Sequence, residues 1–382
     1  MMSGVSESEE PATNISPKPD QLFAEYEYRH LLVLVHGILS GPSDWNYVVS
    51  ELKKRLSGQF LIYASAANSF VQTLSGIDVA GRRLAEEVKE VIQRNPGLEQ
   101  ISFVGHSLGG LFARYAIAVL LDSTETESLI NEEKQSSETP ARRIGGLKPV
   151  NFVTLATPHL GVRGRRQLPF LFGVSFLEKL AAPLAPYLAR MTGRQLYLLD
   201  EKPSQPPLLL CMAEDREDLQ FLSALGCFKF RSCYANVSYD HMVGWRTSSI
   251  RRETELPKLS KQSIKGYKHV VNVTHCPSVH KSMPTFQPES AEAKEAAQKV
   301  SGSELAVKYY YEKMEEEMIR GLQQVSWCKV DVSFHDAWWP FLAHNHIHVK
   351  SQWLYYEGAG VVSHLADSLS QQGNPVSLMA SL

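Results

Sequence analysis

The chain has 382 residues, of which 43% are hydrophobic and 21% are charged, a composition typical of a globular protein and not of a disordered one. Its 39 basic and 41 acidic side chains leave a formal net charge of −2. Because this balance provides no overall positive field to attract a polyanion, we do not expect nucleic acid as a partner. The five cysteines include no C-x-x-C pair, which indicates neither a disulfide framework nor a zinc ribbon, and we expect a reducing compartment.

The first 24 residues are rich in Ser, Glu and Pro, which predicts a disordered tail. This segment lacks the apolar core of a secretory signal, and its acidic residues argue against an organellar transit peptide. The sequence contains no stretch of about 18 apolar residues, so no transmembrane helix is expected. We therefore expect a cytoplasmic protein.

From residue 29 onward, short apolar runs alternate with amphipathic segments. The continuous apolar run over 31–35 predicts a strand buried on both faces, as in a parallel sheet. The pattern then predicts, in chain order, a helix over 44–56, strand 60–63, helix 76–95, strand 101–104, helix 111–121, strands 150–156 and 228–234, strand 325–334 and a closing helix over 351–369. This alternation indicates an α/β fold with a mostly parallel, doubly wound sheet.

Three segments interrupt the alternation and are predicted to be insertions. Residues 122–149 are polar without periodic apolar positions, and residues 160–225 are apolar and broken by prolines, as in a helical cap. Residues 250–324 are largely polar, with a possible strand over 268–274 and a charged helix from 304. The expected organisation is a tail over 1–24, one α/β domain over 25–370 that carries these insertions, and a second tail over 371–382.

The sequence Gly105-His106-Ser107-Leu108-Gly109 lies between a predicted strand and a predicted helix. In that context G-x-S-x-G is the nucleophile elbow of α/β-hydrolases. Small flanking residues allow a sharp, strained turn that lifts the Ser107 oxygen above the sheet edge. The N–H group of Leu108 then lies at a helix N-terminus, where it can stabilise an oxyanion. We predict Ser107 as the nucleophile and Leu108 as one oxyanion donor.

The second oxyanion donor of this fold comes from the loop after an earlier strand. His36-Gly37-Ile38 ends the run over 31–35 and meets that requirement. Gly37 would let the backbone approach the substrate closely. Ile38 is therefore the predicted second donor, with Leu39 as the alternative.

A serine nucleophile needs a base, and the base needs a carboxylate that orients it. In α/β-hydrolases the acid follows the serine in the chain and precedes the histidine. Asp240 comes just after the predicted strand over 228–234 and is the preferred candidate. Asp215 and Asp218 lie in a charged, helix-like stretch, and Asp331 alternates within a predicted strand.

Four histidines follow Asp240 at suitable positions, namely His335, His344, His346 and His348. Spacing alone does not choose among them. The last three would share one face of a strand, as in a metal site, but no carboxylate or cysteine cluster accompanies them. We therefore expect neither a metal nor another cofactor.

Several short motifs occur together in this chain. They are Leu-Val-Leu-Val-His-Gly at 32–37, Val-Gly-His-Ser-Leu-Gly-Gly at 104–110, Thr-Leu-Ala-Thr-Pro-His-Leu-Gly at 154–161, Tyr-Ala-Asn at 234–236 before Asp240, and Ala-His-Asn at 343–345. With these motifs the chain resembles the eukaryotic serine esterase family of lipase-like α/β-hydrolases, over roughly residues 28–250 and again around 330–367. The resemblance implies that His344 is the catalytic histidine and that His159 has a structural role.

The resemblance also implies esterase or lipase activity on acyl lipids, such as acylglycerols or lysophospholipids. Clustered Phe and Leu within 160–200, beside Arg163, Arg165 and Arg166, suggest a cap that covers an acyl pocket and contacts a membrane or lipid droplet. A packed cap that never touches lipid is the alternative. Two other functions stay open: a thioesterase acting on acyl-protein or acyl-CoA, and a catalytically silent hydrolase fold used for binding.

Overall fold

The computed structural model describes residues 28–56, 58, 60–122, 142–162, 190–202, 205–258, 262–279 and 304–373. The predicted N-terminal tail, most of the insertion over 122–149 and the Phe- and Leu-rich part of the cap, with its three arginines, lie outside these residues. So does most of the predicted C-terminal tail. None of the predicted active-site residues falls in the gaps.

One sheet organises the described part of the chain. Its strands are β1 His30–Val35, β2 Phe60–Ala64, β3 Gln100–His106, β4 Lys148–Leu155, β5 Phe230–Asn236, β6 Val270–Cys276 and β7 Trp327–Val332. Their order across the sheet is β2-β1-β3-β4-β5-β7-β6. Neighbouring strands pair in parallel, except that β6 is antiparallel to β7. The predicted mostly parallel, doubly wound sheet is confirmed.

Helices connect the strands and cover the sheet. They are α1 Asn46–Arg55, α2 Ile77–Arg94, α3 Leu108–Val119, α4 Leu208–Cys211, α5 Phe221–Gly226, α6 Trp245–Ser249, α7 Glu304–Leu322, α8 Ala343–His346, α9 Gln352–Tyr355 and α10 Ala359–Gly373. Short 3-10 turns occur at Pro42–Trp45, Phe70–Leu74, Glu253–Glu255, Pro340–Leu342 and Tyr356–Gly358. No helix in this part of the chain is long and apolar enough to span a bilayer.

Strand β1 shows why its sequence is a continuous apolar run. Leu31 and Val33 belong to the core on the face that packs against α2 and α3. Leu32 and Leu34 belong to the core on the opposite face, which includes residues of α1 and α10. Because successive side chains of a strand point to opposite faces, a strand covered on both sides must be apolar at every position.

Three local predictions are wrong. The closing helix is interrupted by the turn Tyr356–Gly358, where Gly358 packs so tightly that an added Cβ would lie 1.6 Å from the carbonyl oxygen of His346. Asp215 and Asp218 lie in an exposed connection before α5 and not in a helix. The segment with three histidines does not form a strand, because the turn Pro340–Leu342 runs directly into the short helix α8.

Candidate active site

The turn that carries Ser107 connects β3 directly to α3. Ser107 has φ 53° and ψ −126°, a conformation that a residue with a side chain rarely adopts. Its N–H group donates to the carbonyl oxygen of Leu155 at 2.8 Å, and its own carbonyl accepts from Gly110 at 3.2 Å. These contacts tie the strained turn to the neighbouring strand β4 and to the first turn of the helix.

The glycines on each side of Ser107 are required by close packing of the backbone. A Cβ on Gly105 would lie 2.5 Å from the Cα atom of Gly110, and one on Gly109 would lie 2.2 Å from the carbonyl oxygen of Val35. Real atoms do not approach this closely, so larger residues would force the helix away from the sheet. The helix begins at Leu108, directly after Ser107, which is three residues earlier than the apolar periodicity predicts.

Three distant parts of the chain meet at this turn. The Oγ atom of Ser107 lies 2.9 Å from Nε2 of His344. The Nδ1 atom of His344 lies 3.0 Å from one carboxylate oxygen of Asp240 and 3.1 Å from the other. Because an ionised carboxylate can only accept, Nδ1 carries the proton and Nε2 is free to accept from the serine hydroxyl. All three side chains are buried.

The carboxylate of Asp240 is held by several donors besides His344. The side-chain amide of Asn236, at the end of β5, donates to it at 2.8 Å, and the N–H groups of Met242 and Val243 donate at 3.0 and 2.9 Å. Burial raises the pKa of Asp240, but its interaction with His344 and the hydrogen bonds that it accepts outweigh this effect, so the pKa lies below its usual value. The carboxylate is thus ionised and fixed in orientation. Sequence reasoning gave Asn236 no role, although it is the last residue of the strand that precedes Asp240.

The loop after β1, residues 36–40, lies directly beside Ser107; because it holds the predicted oxyanion donor, it is named the oxyanion loop. A Cβ on Gly37 would lie 2.9 Å from the Cβ atom of Ser107. Among the described residues no acceptor binds the N–H group of Ile38. The N–H group of Leu39, by contrast, donates to Oγ1 of Thr73 at 3.0 Å. Leu108 is the first residue of α3, so its N–H group has no acceptor within the helix.

The other three candidate histidines do not reach Ser107. His346 donates from Nε2 to the carbonyl oxygen of Trp339 at 2.9 Å. The ring of His348 is stacked on His106 with 3.8 Å between ring centroids. His335 is exposed, and its Nδ1 atom lies 3.1 Å from the hydroxyl of Tyr239. Within the described ranges, no group of three or more His, Cys, Asp or Glu side chains is arranged to hold a metal ion.

Two other polar groups near the site have structural partners. His159 is fully buried, and its Nε2 atom lies 3.0 Å from Oγ1 of Thr154, consistent with the structural role that the resemblance implies. Asp331 is fully buried and forms an ion pair with Arg251 at 2.6 Å, while Trp245 donates to the same carboxylate at 2.7 Å. The Asp331 carboxylate is therefore engaged away from His344.

Known proteins with similar sequences are named as lipases or esterases. Residues 25–250 match the family described as "Putative serine esterase (DUF676)". The chain is 28% identical over 238 residues to "Putative lipase ROG1" of Saccharomyces cerevisiae, and 28% identical over 230 residues to "Putative lipase C4A8.10" of Schizosaccharomyces pombe. These matches cover 61% and 58% of this chain but only 30% and 26% of the relatives. The chain thus matches less than a third of their length.

Among solved structures, the mature form of the Bacillus licheniformis lipase BlEst2 is matched at 16% identity with a TM-score of 0.33. That match covers 58% of this chain and 71% of the lipase. The family match spans more than half of the 382 residues and includes both Ser107 and Asp240. It confirms the resemblance that the motifs predict, and the chain belongs to this serine esterase family.

Proposed function

We propose that this protein is a serine hydrolase that cleaves carboxylic esters through an acyl-enzyme intermediate. The proposal rests on one observation above all, the continuous hydrogen-bonded chain from the Ser107 hydroxyl through the His344 imidazole to the Asp240 carboxylate. A serine hydroxyl becomes an effective nucleophile only when a positioned base accepts its proton. A hydrolase fold used only for binding would not need a base beside the serine and a carboxylate beside that base.

In the proposed first half-reaction, Oγ of Ser107 attacks the ester carbonyl carbon while Nε2 of His344 accepts the hydroxyl proton. Asp240 keeps the imidazole in the required tautomer and stabilises the imidazolium. The carbonyl oxygen becomes an oxyanion, which the N–H groups of Leu108 and Ile38 stabilise. His344 then returns the proton to the departing alkoxide, which leaves as the alcohol and leaves an acyl ester on Ser107.

In the second half-reaction the same groups act on water. His344 accepts a proton from the water molecule, whose oxygen attacks the acyl carbon and forms a second oxyanion. The intermediate collapses when Ser107 leaves with the proton from His344, and the carboxylic acid is released. Every step uses only groups of this chain and water, so no cofactor is required.

Substrates with long acyl chains are the class that we propose. The matched yeast relatives carry the name "putative lipase". Exposed apolar side chains lie on and next to the oxyanion loop. Leu39 belongs to that loop, Phe70 is bonded to it through Ser40, and Val71 is the next residue in the chain; each is more than half exposed. Met242, two residues after Asp240, is also exposed. A small polar ester gains nothing from these exposed side chains, whereas an acyl chain buries them.

We also propose that the protein contacts a lipid surface reversibly. The loop between β7 and α8, which leads to His344, exposes Trp338, Trp339 and Phe341. Trp353 and Tyr356 are exposed on the segment that follows α8. Trp and Tyr side chains are favoured at the boundary between water and lipid, because they combine an apolar ring with a polar N–H or O–H group.

The nucleophile is tested by reaction with a fluorophosphonate probe and by hydrolysis of p-nitrophenyl esters. Wild-type protein should be labelled and active, and Ser107→Ala should lose both properties without a large change in melting temperature. Ser102, a buried serine of β3 bonded to His30 and not to a catalytic base, supplies the matched control, Ser102→Ala. Labelling or turnover in Ser107→Ala at the wild-type level would refute the proposal.

A further inference from the structure

We propose that Thr73 is a positioning residue for the oxyanion loop, which it holds in the geometry that aims the Ile38 N–H group at the substrate. The inference rests on the proposed function and extends it. Thr73 lies in the turn Phe70–Leu74, 34 residues after Leu39, and belongs to none of the recognisable sequence motifs.

The oxyanion loop contains a residue that needs external support. Leu39 has a φ of 51°, in the left-handed region that a leucine adopts only at an energetic cost. Its side chain is 54% exposed, so packing of that side chain cannot hold the backbone in place. The support must therefore come from hydrogen bonds of the backbone itself.

Thr73 provides that support through its hydroxyl group. The N–H group of Leu39 donates to Oγ1 of Thr73 at 3.0 Å, and Oγ1 donates its own proton to the carbonyl oxygen of Phe70 at 2.6 Å. A second bond runs in the opposite direction, from the N–H group of Phe70 to the carbonyl oxygen of Ser40 at 2.8 Å. Thr73 is fully buried, so water cannot take over its role when the hydroxyl is removed.

Thr73 is itself fixed by a second threonine. Oγ1 of Thr192 donates to the carbonyl oxygen of Thr73 at 2.8 Å and accepts from the N–H group of Gly76 at 3.0 Å. Thr192 is also fully buried. The turn that supports the oxyanion loop is thus anchored to the segment over 190–196 and does not move independently of it.

These contacts hold Ile38 from both sides. Gly37 packs against Ser107, and Leu39 is bound to Thr73, so the peptide between them has little freedom. Of the two predicted donors, Ile38 and Leu39, Thr73 occupies the N–H group of Leu39, which leaves that of Ile38. An oxyanion donor acts only when it is placed correctly, and displacement by about 1 Å can reduce the rate by about 100-fold.

The test compares Thr73→Val, which removes the hydroxyl with little change in volume, with Thr73→Ser, which keeps it. We expect kcat for a p-nitrophenyl ester to fall about 10- to 100-fold in Thr73→Val with KM changed less than about threefold, because the lost interaction acts in the transition state. Thr73→Ser should stay within about threefold of wild type. A trifluoromethyl ketone, whose adduct with serine carries an oxyanion, should lose affinity for Thr73→Val by the same factor as kcat/KM falls.

If Thr73 only stabilised the fold, Thr73→Val would have a lower melting temperature, but its folded fraction would keep the wild-type kcat and inhibitor affinity. That result, or a rise in kcat, would overturn the inference. If Thr73→Val does not fold, Thr192→Val removes the anchor and leaves the Thr73 hydroxyl, and wild-type kcat and inhibitor affinity in that variant would overturn the inference as well. If Ser107→Ala abolishes hydrolysis and Thr73→Val does not reduce it, only this inference fails. If wild-type protein shows no serine-dependent hydrolysis, the proposed function fails with it.

Discussion

The imidazole of His106 donates from Nε2 to the carbonyl oxygen of His344, 2.8 Å away. Because a carbonyl can only accept, this bond fixes the tautomer of His106. Burial, and then the nearby His348 and His344, lower the pKa of His106 well below its usual value, so the ring is neutral. His106, the residue before Ser107, therefore holds the backbone of the candidate base.

The first prediction follows from that bond. The bond is made by Nε2, and Gln carries its side-chain amide nitrogen at about that distance from the backbone, so Gln can place a donor near the His344 carbonyl, whereas Ala cannot. We expect His106→Ala to lose about 1–3 kcal/mol of unfolding free energy and some activity, because a buried acceptor is left without its donor. His106→Gln should recover part of both quantities. Urea denaturation and ester hydrolysis measure them, and identical values for the two variants would contradict the role of the bond.

The second prediction separates the histidines of α8. His344→Ala should reduce kcat by at least about 1,000-fold, since no other base in the described part of the chain reaches Ser107. His346→Ala should retain most of the activity and lose stability, because His346 bonds to the carbonyl of Trp339 and not to the serine. Steady-state kinetics with thermal unfolding distinguishes the two. Loss of turnover in His346→Ala, with activity retained in His344→Ala, would identify His346 as the base instead of His344.

The third prediction compares two buried carboxylates. Asp240→Asn should keep the fold and reduce kcat by about 100- to 10,000-fold, because the amide disturbs the tautomer of His344. Asp331→Asn should mainly destabilise the protein, by about 3–5 kcal/mol, since it leaves the buried Arg251 without its charged partner. Steady-state kinetics should therefore show the larger loss of kcat in Asp240→Asn, and denaturant unfolding should show the larger loss of unfolding free energy in Asp331→Asn. Near-normal turnover in Asp240→Asn would show that Asp240 is not the carboxylate on which His344 depends.

The strand–turn–helix around Ser107 could be predicted from the sequence, because its determinants are contiguous. A strand, a glycine, Ser107 and a helix follow one another within β3 and α3, and close backbone packing demands those residue types. Asp240 and His344 could be proposed from chain order and motif resemblance alone. The seven-stranded sheet likewise follows from alternating apolar runs.

Contacts between distant segments could not be predicted in the same way. Thr73 lies 34 residues from Leu39, and Arg251 lies 80 residues from Asp331, with no periodic pattern connecting either pair. The roles of His346 and His348 depend on whether their segment forms a helix or a strand. The turn Pro340–Leu342 leads into the short helix α8, whereas the alternating histidines predict a strand.

The fourth prediction concerns pH. Burial lowers the pKa of His30, which is bonded to Ser102, to about 4. A histidine whose pKa is lower in the folded state than in the unfolded state contributes stability above the unfolded pKa of about 6.5, and this contribution disappears as the pH falls toward 4. His30 alone should therefore reduce the unfolding free energy by about 2 kcal/mol between pH 7 and pH 5. Urea denaturation at both values should show a smaller loss in His30→Gln, and an equal loss in both proteins would contradict the assignment.

The last prediction concerns substrate and lipid contact. Among p-nitrophenyl esters, kcat/KM should rise from acetyl to octanoyl or longer chains, because each buried methylene contributes up to about 0.8 kcal/mol.

Trp338 and Trp353 are 81% and 85% exposed, and their replacement by serine should reduce cosedimentation with phosphatidylcholine and phosphatidylserine vesicles. Tyr309 of α7, 70% exposed on the helix that packs against the other face of the sheet, gives the control Tyr309→Ser, which should bind vesicles as wild type does. A preference for acetyl esters together with absent vesicle binding would leave a serine esterase of small soluble substrates, and activity confined to thioesters would favour the thioesterase alternative.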